Sequence, residues 1–313
     1  MNNESGPVDP AIGAFIAASD ATFTAAFDAL PIDRQRAIYD AFWPRFHAPH
    51  PPGVEMKAVT LPGPGGSLRG LLYRPSPARP YLPVAVYFHG GGWTLGSPES
   101  HDLATARLCA QAGIAVFSLD YRLAPEHPYP AALMDGVACL AWLAAEAGRL
   151  GLDAARLAVI GDSAGANIAA GLCLWLRDRG GPDVCFQGLI YPALQCAIDP
   201  GQSGGVSPET VSQYLRAYFA GRDLCGDPYV MPLSAKSLEN LPPAYIATAG
   251  LDPLEPHGRE YAQRLRHAGI PCDYSCGSGL PHAYLRTLHT STAAADAFAG
   301  LCSAAKRAMI GQS

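Results

Sequence analysis

The sequence predicts an α/β fold, a mostly parallel eight-stranded sheet with helices on both faces. Two observations predict it. From about residue 83, short apolar runs alternate with longer helix-like runs, the pattern of strands joined by crossover helices. Two of those apolar runs end in glycine-rich turns, His89-Gly90-Gly91-Gly92 and Gly161-Asp162-Ser163-Ala164-Gly165. With 313 residues and 49% hydrophobic content, the chain can fill one sizeable core.

The N-terminal part, residues 8–47, reads as helical. Ala14, Ala17, Ala18, Ala25, Ala26 and Ala29 favour helix, and Phe15, Phe23 and Phe27 supply apolar anchors. A second helix is expected over 33–43, with Pro31 before it and Pro44 after it. A proline-rich linker, 47–53, follows. Residues 54–60 and 68–73 read as strands of a hairpin around Gly63-Pro64-Gly65-Gly66. Further strands are expected at 83–88, 114–119, 157–161, 186–191, 244–249 and 272–276. Helices are expected at 101–112, 130–148, 164–178, 255–268 and 292–308. Between about 192 and 240 the alternation fails, and a helix-like stretch over 208–220 stands between two loops. The expected organisation is a cap whose N-terminal helical part covers 1–50 and whose insertion covers 192–240. Residues 51–191 and 241–313 then form the catalytic domain.

Composition excludes several classes. Charged residues make up 16% of the chain and the net charge is -5, so there is no basic face for nucleic acid or anionic lipid. No apolar run approaches the roughly 18 residues that span a bilayer. The start, Met1-Asn2-Asn3-Glu4, lacks the basic region of a secretory signal, and a cytoplasmic chain is expected. The nine cysteines show no C-x-x-C pair and no zinc spacing. Most lie in apolar runs and read as small buried hydrophobes in a reducing compartment, with a disulfide as the less favoured alternative.

The two glycine-rich turns carry the chemistry. Gly-x-Ser-x-Gly is short enough that chance supplies about 0.2 copies at this composition. There are two, and context separates them. The copy at 201–205 follows Asp199-Pro200 and reads as a flexible loop. The copy at 161–165 follows Leu157-Ala158-Val159-Ile160 and opens a helix, the setting of a nucleophile on a tight strand-to-helix turn. Its bland alternative is an ordinary glycine-rich turn. In the run 89–92, three glycines remove side chains so that backbone N–H groups can converge on one point, as an oxyanion requires. A phosphate cradle is the competing reading, but no Lys-Ser/Thr follows.

A nucleophilic serine needs a base, and the base needs an acid. Strand 244–249 runs into Asp252, and strand 272–276 into His282, in the chain order this chemistry uses. An aspartate after a strand is also a common helix cap, which is the alternative role for Asp252. Among other histidines, His267 and His289 fall in helical patterns, while His101 and His127 lie upstream of the serine. The strongest rival, His257, falls in the first turn of a helix.

These motifs, with Trp93, Asp120-Tyr121-Arg122-Leu123-Ala124-Pro125-Glu126, Pro128 to Ala132, Tyr191-Pro192, Asp252-Pro253-Leu254 and Pro281-His282, resemble the bacterial hormone-sensitive-lipase-like esterases of the α/β-hydrolase superfamily. The resemblance runs in order from about residue 55 to 290. It implies Ser163 as nucleophile, His282 as base, Asp252 as orienting acid, and N–H groups of Gly91, Gly92 and Ala164 as the oxyanion hole. It further implies that His89 supports its loop without transferring protons, and that two copies can pair through a sheet edge as a homodimer. The expected activity is hydrolysis of small uncharged esters with short to medium acyl chains, with no metal or organic cofactor. Trp93, Asp162, Tyr191, Tyr214, Tyr218 and Phe219 are candidate pocket residues. Two departures stand out: Glu255-Pro256-His257-Gly258 replaces the family's acidic pair before glycine, and Ala283-Tyr284 follows the histidine. The plant gibberellin receptors resemble this family but have lost the histidine, and His282 argues against that reading. An acyltransferase or amidase with the same three groups stays open.

Overall fold

The computed structural model describes residues 9–198 and 205–311. Eight strands form one sheet: β1 Val54–Gly63, β2 Gly66–Pro75, β3 Leu82–Phe88, β4 Ala115–Asp120, β5 Leu152–Asp162, β6 Val184–Ile190, β7 Ala244–Ala249 and β8 Cys272–Gly277. Their order across the sheet is β1-β2-β4-β3-β5-β6-β7-β8. Only β2 runs against its neighbours, pairing antiparallel with both β1 and β4. The remaining pairs are parallel.

Central strands bury both faces, which is why they read as continuous apolar runs. In β3, Val84, Val86 and Phe88 enter one core while Ala85 and Tyr87 enter the other. β5 repeats this with Leu157 and Val159 against Ala158 and Ile160. Helices α4 Asp102–Ala112 and α9 Thr292–Ile310 cover one face. Helices α5 Ala131–Leu150, α6 Ala164–Arg179 and α8 Glu255–His267 cover the other.

Helix α5 corrects one expectation, since its 20 residues are long and apolar enough to cross a membrane by length and composition. Here it lies against the sheet, with Leu133, Leu140 and Leu143 fully buried and Asp135 paired to Arg122 at 2.7 Å.

Above the sheet sit α1 Pro10–Thr22, α2 Ala25–Asp28, α3 Ile32–Phe42 and α7 Pro208–Phe219. The first three hold a small aromatic core of Phe15, Phe27, Tyr39, Phe42 and Trp43, packed on Leu95 in the loop after β3. Helix α7 starts on Ser207, whose hydroxyl accepts from the Thr210 N–H, with Pro208 at its first position.

The cysteine reading also needs correcting. Cys196 and Cys225, on either side of α7, form a disulfide. Neither lies in a strand or helix of the sheet, so no periodic pattern marked the pair. Seven cysteines are free; Cys109, Cys139, Cys173 and Cys302 are buried as expected, whereas Cys276 is exposed.

Candidate active site

Each predicted group sits where a strand of the sheet ends. β5 runs into Ser163, whose backbone takes φ 54° and ψ -118° before α6 begins at Ala164. A non-glycine residue there costs about 1–3 kcal/mol and persists only because its surroundings enforce it. The Ser163 N–H donates to Ile190 O at 2.8 Å, which ties the turn to the end of β6. Gly165 explains the motif's last position. A Cβ there would lie 1.9 Å from Phe88 O, so only glycine lets α6 pass the end of β3.

Three side chains then converge. His282 Nδ1 lies 2.6 Å from Asp252 Oδ2, and His282 Nε2 lies 2.9 Å from Ser163 Oγ. A carboxylate can only accept, so the Nδ1–H donates to it and Nε2 is left to accept from the serine hydroxyl. Asp252 is fully buried and His282 nearly so, which keeps water from competing for either bond. The other Asp252 oxygen accepts from the Leu254 N–H at 2.9 Å. Turn-capping and base-orienting roles, which the sequence set as rivals, share one carboxylate. His257 is taken up elsewhere: Nδ1 accepts from the Leu194 N–H and Nε2 donates to Ala197 O at 2.7 Å.

The loop after β3 lies alongside. Gly91 and Gly92 take φ of 124° and 59°, and among the described residues their N–H groups have no protein acceptor. Thr94 and Leu95 N–H groups donate to Gly91 O. A Cβ on Gly92 would meet the Tyr214 ring at 2.2 Å, so a side chain here would push α7 away. Beneath the loop, Asp162 accepts from Tyr87 OH at 2.8 Å, Gly90 N–H at 3.0 Å and Tyr191 OH at 3.2 Å. Burial alone would raise its carboxyl, but Arg286 and the Tyr87 hydroxyl hold it well below the usual carboxylate range. His89 stacks on Tyr121 at 4.3 Å and donates from Nδ1 to Gly90 O at 2.9 Å. Burial, then neighbouring His101, lowers its imidazole to about 3, so it stays neutral.

These buried imidazoles set a stability profile. His89, His101 and His257 are each shifted down, with burial the leading cause. As pH falls below the ordinary 6.5, the unfolded chain takes up these protons first and folding loses stability. Each such histidine contributes a slope of up to about 1.4 kcal/mol per pH unit. The urea midpoint is therefore expected to fall steadily from pH 6.5 to 4.5. His89→Asn should make that fall shallower, and an unchanged slope would contradict this cause.

A cavity of about 570 Å³ opens above Ser163 and His282. Of the candidate pocket residues, Trp93, Asp162 and Tyr214 line it. Tyr191, Tyr218 and Phe219 do not. The Tyr191 hydroxyl turns down to Asp162 while its ring packs on His282 at 4.7 Å. Tyr218 stacks parallel to Trp93 at 4.8 Å, on the side away from the cavity, and Phe219 is buried in the main core. Wall residues missed by the sequence reading include Tyr39, Trp43 and Arg286. The aromatic pair at i and i+4 ending α3 was the available signal. The second Gly-x-Ser-x-Gly lies outside the described residues except for Gly205, which reaches the cavity wall.

A hydroxyl bonded to an imidazole, beside backbone N–H groups without a protein acceptor and below a cavity, can attack a carbonyl and hold the resulting oxyanion. The chain is similar to known hydrolases. Residues 85–286 match the α/β hydrolase fold family. The esterase LipI of Mycobacterium tuberculosis is 37% identical over 255 residues, covering 79% of this chain and 80% of that protein. The carboxylesterase NlhH of the same species is 39% identical over 248 residues, covering 76% and 77%. Among solved structures, an ester-hydrolase from the metagenome of Lake Arreo, complexed with a derivative of bipyridine phosphonate, superposes with a TM-score of 0.89. It is 34% identical, and the match covers 96% of this chain and 98% of that one.

Proposed function

The chain belongs to the α/β-hydrolase family, in its hormone-sensitive-lipase-like group of esterases, and from that premise we propose that it hydrolyses small uncharged carboxylic esters through Ser163, His282 and Asp252. One observation carries the assignment of residues: the Ser163 hydroxyl is 2.9 Å from an imidazole nitrogen whose partner nitrogen donates to buried Asp252.

Ser163 Oγ attacks the ester carbonyl carbon as His282 Nε2 takes its proton. The carbonyl oxygen becomes an oxyanion held by N–H groups of Gly91, Gly92 and Ala164, each donor contributing roughly 3 kcal/mol. The C–O bond to the alcohol breaks, and the alcohol leaves with the proton carried on His282. Water then attacks the acyl-enzyme, giving its proton to His282, and the acid departs as Ser163 regains it. Asp252 stabilises the imidazolium formed in each half.

Helices α1–α3 and the insertion carrying α7 act as a cap over the sheet, which supplies the aromatic walls of the cavity. The free edge at β8 offers the surface for pairing two copies. A cytoplasmic location fits the seven free thiols, and the Cys196–Cys225 bond is the feature that runs against it.

A series of p-nitrophenyl esters from acetate to palmitate tests the substrate class. Each acyl CH₂ that finds apolar wall adds up to about 0.8 kcal/mol until the cavity is full. The expected kcat/KM peaks between about two and eight acyl carbons and falls at least tenfold by palmitate. A rate still rising at palmitate would contradict the short-to-medium assignment.

A further inference from the structure

Arg286 lies one turn beyond His282, in the 3-10 turn Tyr284–Thr287, and is more than nine-tenths buried. Among the described residues it has no carboxylate within ion-pair distance. Its guanidinium lies 4.0 Å over the Trp43 ring. Nη1 donates to Ser100 O, and Nη2 donates to Tyr39 OH at 3.3 Å and lies against the face of the His101 ring, 2.7 Å from Nε2 and 3.3 Å from Nδ1.

Its own hydrogen bonds fix the state of His101. A nitrogen that accepts from the Gly90 N–H carries no proton, so the His101 proton sits on Nδ1, facing Ser100 Oγ at 2.9 Å. Nε2 faces the Gly90 N–H at 3.2 Å, which Asp162 Oδ1 shares at 3.0 Å. Gly90 immediately precedes the two residues whose N–H groups point at the developing oxyanion. Protonated His101 would turn an Nε2–H toward Asp162 Oδ1, 3.4 Å away, and compete with Gly90 for it.

We infer that Arg286 is a positioning residue for the oxyanion loop: by holding its charge against the His101 ring it keeps that imidazole neutral and leaves Gly90 anchored, linking the turn that carries the base to the turn that carries the oxyanion donors. The inference rests on the proposed esterase reading of Ser163, His282 and Asp252. The groups facing His101 agree with it. Arg286 comes from the turn after β8 and Asp162 from β5. Tyr87, 6.3 Å away between ring centres, comes from β3, and His89, at 5.4 Å, from the loop after it. Tyr39 reaches it through Arg286. Asp102 and Glu99, its chain neighbours, are turned away to Tyr73 with His50 and to Arg69. Burial first, then Arg286, lowers the His101 imidazole, so loss of the cation lets it charge at a higher pH than in the wild type.

The experiment measures kcat and KM from pH 5 to 9 for Arg286→Met and Arg286→Lys, with folding checked by near-ultraviolet circular dichroism. Arg286→Met should lose about 10- to 100-fold in kcat at pH 6, with KM within about threefold, and its acid limb should move up by about one pH unit. Arg286→Lys retains the charge and should keep the wild-type acid limb. In a His101→Gln background, Arg286→Met should cost less than about threefold, because the group it acts through is gone. A folded Arg286→Met with the wild-type acid limb, or a loss undiminished in the His101→Gln background, overturns the inference. If Arg286→Met does not fold, Arg286→Lys decides, and an acid limb displaced upward by about one pH unit in that variant overturns it. Fluorophosphonate labelling of Ser163 in the wild type, run in parallel, tests the underlying esterase reading separately.

Discussion

Ser163→Ala is expected to lower kcat for p-nitrophenyl acetate by about four to six orders of magnitude while the protein stays folded. The substitution removes one oxygen at the end of β5. Alanine has the same Cβ, so the backbone strain at φ 54° is neither relieved nor increased. The Ser163 N–H still donates to Ile190 O, and His282 still donates to Asp252. What disappears is the atom that forms the acyl-enzyme. Any residual rate would come from the oxyanion donors acting on water. Turnover and thermal unfolding of the same sample separate the two effects. A variant within tenfold of wild-type kcat would show that another group attacks the ester.

Asp252→Asn is expected to lower kcat by about 10⁴ with little change in KM. An amide nitrogen facing His282 Nδ1 would act as donor and force the imidazole proton onto Nε2, where it can no longer accept from the Ser163 hydroxyl. The retained side-chain oxygen can still accept from the Leu254 N–H, so the turn into α8 should survive. Comparing Asp252→Asn with Ser163→Ala by kcat, KM and unfolding temperature checks this. A loss under tenfold would mean that Asp252 merely caps the turn.

Much of this was readable before any coordinates. Parallel strands advertise themselves because both faces are buried; Val84 to Phe88 and Leu157 to Ile160 are apolar for that reason. Gly161 and Gly165 are legible because close passage of β3, β5 and α6 tolerates no Cβ. Ser163, Asp252 and His282 are legible because each follows a strand in a fixed order. The wall of the cavity was not. Tyr218 and Phe219 look like ligand-facing aromatics on an amphipathic helix, yet which way α7 turns depends on Trp93 and Gly92, more than a hundred residues earlier. Cys196 and Cys225 gave no spacing signal because their meeting is set by where the insertion lands on the sheet. Arg286 and His101 are far apart in the chain, and only the convergence of two turns makes them neighbours.

The measurement that bears most directly on the central claim is covalent labelling by a fluorophosphonate, read by mass spectrometry of the peptide containing Ser163. One adduct per chain on Ser163, abolished in Ser163→Ala and strongly slowed in His282→Ala, is the expected result. An enzyme that hydrolyses esters yet leaves Ser163 unlabelled would contradict the account.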